Sequence, residues 1–108
     1  MIWDYAMAKK KSVQIFGEYA GRQAEPTAQR MALLEEWKKG GEFSSRWNTV
    51  APIANMNQIL AENYPAYTNA IPDVVRAKIF LEHLKKWEGA GQMPNLTIVQ
   101  LPCDHTFG

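Results

Sequence analysis

Asp104 and His105 stand side by side just after an apolar run, Leu96 to Leu101, with Pro102 and Cys103 between. A carboxylate and an imidazole are the oxygen and nitrogen donors that ligate divalent metals. Thr106 could add a hydroxyl, and the nearby glycine, Gly108, allows a tight approach. Successive side chains of a strand point to opposite faces, so both donors reach one metal only if the backbone turns there. Pro102 makes such a turn reasonable. The residues alone leave a second reading open, in which Asp104 caps the next turn and His105 faces solvent.

Other chemistry-bearing residues read as structural. His83 falls beside Glu82 and Lys85 on the polar face of a helix, where it is expected to be solvated. Asp73 and Arg76 are three apart and should form a local pair worth a few tenths of a kcal/mol. Glu18 follows a strand-ending glycine and is expected to serve structure. Lys9, Lys10 and Lys11 suit the negative end of a helix dipole. The four tryptophans lack interleaved basic residues, so they read as core anchors rather than base-stacking platforms.

The elements that must position the Asp104-His105 pair follow from periodicity. Residues 2–9 form a short helix, with Ile2 and Ala6, then Trp3 and Met7, at helical spacing. Residues 12–19 alternate apolar and polar and are rich in β-branched and aromatic types, the mark of a strand. Gly17 marks its end or a close backbone approach. A helix follows from Ala28 to Lys39, capped by Thr27, with Met31, Leu34 and Trp37 inward and Gly40-Gly41 as its stop. Phe43 and Trp47 anchor the next stretch onto a core. A short helix runs from Ala54 to Glu62 with Met56, Ile59 and Leu60 inward.

The clearest helix spans Pro72 to Glu88, with Val75, Ile79, Leu84 and Trp87 on one face and Phe80 beside them. The run 96–101 is apolar on both faces, as in a central strand of a parallel sheet. Ligands of open α/β sheets bind in loops at the carboxyl ends of strands. Asp104 stands at such an end. The order helix, strand, helices, strand points to a layered α/β domain.

Composition narrows the partners. The chain has 108 residues, 46% hydrophobic and 21% charged, with a net charge of +1. That is an ordinary globular composition. The balanced charge provides no field to recruit nucleic acid. One cysteine excludes an internal disulfide and a cysteine-rich zinc module. No apolar run approaches the roughly 18 residues of a membrane span. No basic segment followed by an apolar one marks a secretory signal.

Three stretches carry a family resemblance. Residues 96–106 resemble the PNLxIxxLPNDHT-(S/A)-G segment of the bacterial phosphoesterase family, which includes phospholipase C/acid phosphatase-like proteins. Residues 71–96 are similar to the helix before that strand, and residues 2–20 to the family's hWD and GKSVRxYGEF region. Residues 22–50 match least. Cys103 departs from the pattern, which has Asn there; it reads as a small buried substitute.

The resemblance implies an alkaline-phosphatase-like three-layer α/β/α domain with a mostly parallel sheet, helix-rich between two strands. It implies hydrolysis of phosphate esters with divalent metals, zinc, manganese or calcium, held in part by Asp104 and His105. It further implies an exported or periplasmic parent. The family's nucleophile and remaining acidic motifs have no match in residues 1–108, so the chain is expected to be a partial domain, inactive alone and lacking the remainder of the domain as its partner. A non-catalytic α/β interaction module is the alternative.

Overall fold

The computed structural model of the chain describes residues 1–18, 27–47 and 49–104, with residues 27, 28 and 104 described by backbone only. Its elements are helix α1 (Ile2–Ala8), strand β1 (Val13–Phe16), helix α2 (Thr27–Lys38), a 3-10 helix (Ala54–Gln58), helix α3 (Asp73–Ala90), strand β2 (Leu96–Val99) and a terminal 3-10 turn (Pro102–Asp104). Mixed helices and a two-stranded parallel sheet make this an α/β chain.

Helix α1 starts without a capping side chain, but the N-terminal ammonium donates to Asp4 Oδ2 at 3.1 Å. Of the two apolar spacings in α1, the fold uses Trp3 and Met7; Ile2 is 62% exposed. The lysines follow the last turn rather than filling it. Lys9 is the C-cap, and Lys10 takes a left-handed φ of 56°. That lets the Lys10 and Lys11 amides return to the Met7 and Ala6 carbonyls at 2.9 Å each.

Strands β1 and β2 run parallel, pairing Val13 with Leu96 through Phe16 with Val99. On the other side of β1, the Ile15 amide donates to Ile59 O and the Ala61 amide to Ile15 O, both at 2.7 Å. The inner strand is therefore β1, not β2. Among the described residues β2 pairs along one edge only, and all four of its residues are half-buried. An apolar run reads the same whether its strand is central or half-covered, so composition could not separate the two cases. The Ile59–Ala61 pairing also shortens the expected 54–62 helix. Its chain leaves the 3-10 turn after Gln58 to reach Ile15.

Alternation along the strands builds two cores. Phe16 and Val99 meet Leu33 of α2, Val75 and Ile79 of α3, and Trp47, Tyr64 and Ile71. Ile15, Val13, Leu96 and Ile98 meet Trp3 and Met7 of α1, and Met56 and Ile59. Trp47 and Phe43 anchor their stretch as expected. On α2 the inward residue is Leu33, while Met31 is 56% and Trp37 49% exposed. Apolar residues at 31, 32, 33, 34 and 37 leave no single stripe, so periodicity did not select the face.

Helix α3 begins after Pro72 and runs past Gly89 to a left-handed Gly91 cap at φ 67°. Its inner face is 75, 76, 79, 80, 83 and 87 rather than one that includes Leu84. His83 is accordingly less solvated than expected. It is half-buried, its ring 5.0 Å from Phe16 edge to face, with Nδ1 3.0 Å from the Ile79 carbonyl. Residue 83 lies four after Ile79 and four before Trp87, which places it over the core despite its polar neighbours. No helix among the described residues is long and apolar enough to cross a membrane.

Candidate functional site

Both strands end at Tyr64. Its hydroxyl donates to the Gln100 carbonyl at 2.5 Å, one residue beyond β2. Its ring closes over Gly17, one residue beyond β1. A Cβ on Gly17 would lie 2.8 Å from Tyr64 Cε1, and Gly17 has φ 85°, a conformation other residues rarely adopt. The sequence signal at Gly17 was thus a close approach and a strand end together. Burial pushes the Tyr64 hydroxyl well above its ordinary pKa; Arg76 opposes that shift and Asp73 adds to it. The group remains a neutral donor, as its bond to a carbonyl requires.

Beyond Gln100 the backbone turns. Pro102–Asp104 form a 3-10 turn, so the chain does bend after this strand. The turn is held from α3. Asp73 Oδ2 accepts the Cys103 amide at 3.1 Å, and the Cys103 thiol donates to the Ile71 carbonyl at 3.1 Å. Asp73 stands in the first turn of α3, where a carboxylate suits the helix dipole.

Arg76 organises the same corner. Its side chain is 1% exposed, so the expected surface pair is in fact a buried clamp. Nη1 donates to Ile71 O at 2.7 Å and to Asp73 Oδ1 at 3.3 Å; Nη2 donates to Ala66 O at 2.7 Å and Thr68 O at 3.1 Å. A guanidinium can be buried when its donors are matched in this way. The signal was present in the sequence: residue 76 lies between Val75 and Ile79 on the inner face. Its charge obscured that position.

A second guanidinium arrives from α2. Arg30 Nη1 donates to the Asn69 carbonyl and lies 3.9 Å from Cys103 Sγ; Arg76 Nη1 lies 4.0 Å from the same sulfur. Cys103 is half-buried. Sequence reasoning singled out Asp104 and His105 and missed Tyr64 and Arg30, which converge on this turn from distant positions.

Asp104 closes the turn by its backbone, and its side chain lies outside the described residues. His105 and Thr106 lie outside them as well. Among the described residues no three of His, Cys, Asp and Glu gather to hold a metal ion. The nearest possible donors do not fit that role. Cys103 Sγ has a guanidinium on two sides, which disfavours a cation, and Asp73 bonds the Cys103 amide and Arg76. A metal at this strand end would need donors other than these two.

No family model, curated protein or solved structure matches the chain.

Proposed function

We propose that this chain supplies one strand-end corner of a metal-dependent phosphoesterase domain of the alkaline-phosphatase-like kind. Asp104 and His105 are its ligands to a divalent cation, zinc, manganese or calcium. The remaining ligands and the nucleophile come from chain outside residues 1–108, and the phosphate ester binds to the completed domain. By itself the 108-residue chain is inactive toward phosphate esters.

The observation that supports this reading is the turn at Pro102–Asp104 after a parallel strand, held by Asp73 from the start of α3. Ligand sites of parallel α/β sheets occupy this position. The strand 96–99 and the turn 102–104 lie within the segment whose pattern resembles the phosphoesterase one.

Calorimetric titration with zinc and with manganese tests the ligands. The chain should bind one metal weakly through two donors, and Asp104→Ala should abolish the heat. Tight stoichiometric binding that survives Asp104→Ala would remove Asp104 from the site.

A further inference from the structure

Two guanidiniums converge on Cys103, and they differ in their partners. Arg76 is buried and donates to three carbonyls and to Asp73. Arg30 is half-buried, and only its Nη1 has partners among the described residues: the Asn69 carbonyl and, at 3.9 Å, the Cys103 sulfur. None of the ion pairs among the described residues includes Arg30. A guanidinium carries five N–H donors in a fixed fork, and a partly desolvated cation is stable when an anion or several acceptors meet it. Among the described residues Arg76 has that complement, and Arg30 does not.

The charge at the corner points the same way. Two guanidiniums face one described carboxylate, Asp73, and that carboxylate lies against Arg76 rather than Arg30. Among the described residues this leaves one positive charge beside the terminal turn. It belongs to the group with free donors, 3.9 Å from the sulfur of the residue before Asp104.

We infer that Arg30 receives an anionic oxygen group at the end of β2, the phosphoryl group of an ester under the function proposed above. The guanidinium fork matches two oxygens of a phosphoryl group and binds them by charge-assisted hydrogen bonds. Arg30 is then the residue of this chain that binds the ligand's phosphoryl oxygens, while Arg76 holds the backbone that carries the turn. The inference uses the reading of the substrate class, but it needs no metal for its test.

The probe is inorganic phosphate with metal chelated, and the readout is chemical. Phenylglyoxal modifies accessible guanidiniums, and peptide mass spectrometry counts adducts at Arg30 and Arg76 separately. Arg30 should react, phosphate should slow its reaction by on the order of tenfold at saturation, and buried Arg76 should stay unmodified throughout. In parallel, phosphate should shift the backbone amide resonances of Cys103 and Asn69 saturably. Arg30→Lys should weaken that response and Arg30→Met should remove it, with circular dichroism unchanged.

Arg30 reacting equally with and without phosphate, or not reacting at all, overturns the inference. So does an unaltered amide response in a folded Arg30→Met chain. Protection that appears only in Asp104→Ala also overturns it, because Asp104 would then be the anion that Arg30 meets. The metal reading stands or falls separately. Protection without any metal binding supports Arg30 and removes the metal assignment; metal binding without protection does the reverse.

Discussion

The Asp73 carboxylate accepts the Cys103 amide at 3.1 Å, joining the first turn of α3 to the turn that ends at Asp104. The two residues are thirty positions apart, and Asp73 reaches Arg76 with its other oxygen at 3.3 Å. Asp73→Ala should therefore lower stability by about 1–2 kcal/mol, since it leaves an amide and a buried guanidinium short of an acceptor. Asp73→Asn keeps a neutral acceptor and should cost less. Urea unfolding measures both, and equal losses would show that the charge contributes nothing.

Arg76→Met should be more severe. It removes the donors met by the Ala66, Thr68 and Ile71 carbonyls in buried hydrogen bonds. A loss of about 3 kcal/mol follows from several buried acceptors left unpaired. The same urea series decides it: a loss below that of Asp73→Ala would mean that the carbonyls find other partners.

Gly17→Ala should destabilise by about 1–3 kcal/mol, combining a left-handed backbone with a side-chain clash. The ring it meets cannot easily retreat, because the Tyr64 hydroxyl is bonded to Gln100 O. A double variant with Tyr64→Leu checks the cause. The alanine penalty should shrink there; a full penalty would assign the cost to the backbone alone.

Tyr64 gives the chain an alkaline limit. Its folded pKa is raised by burial, so the fold favours the protonated phenol. That stabilisation is full below the ordinary tyrosine value of about 10 and is lost as pH rises through the higher folded value. Stability should fall from about pH 10 upward. Tyr64→Phe should be weaker near neutrality by about 1 kcal/mol, through its lost bond to Gln100 O, and should lose less at alkaline pH. Parallel alkaline profiles for the two chains would exclude Tyr64 as the cause.

The two sides of α2 should respond differently. Leu33→Ala should cost about 2–4 kcal/mol, since the side chain lies in the main core. Met31→Gln, on the exposed side, should change stability by less than about 0.5 kcal/mol. Thermal unfolding compares them, and similar losses would put both faces of α2 in contact with the fold.

Local signals were legible without the fold. Alternation in 12–19, the helical spacing after Pro72 and the closing glycines at 40–41 are properties of a short stretch of chain, so they placed the elements to within a few residues. Asp104 also stood out at a strand end from its neighbours alone, and Pro102 indicated the turn that is there. What the tertiary structure decided is which polar groups the core admits and which faces turn inward. Arg76, His83 and Leu33 depend on partners that packing brings from far along the sequence, and these decide between faces where residue type and spacing disagree. The turn before His105 is held by Asp73, while Arg76, Tyr64 and Arg30 arrive around it. That convergence exists only once α2, α3 and the two strands meet, because a hydrogen bond depends on distance in space and not on distance in sequence.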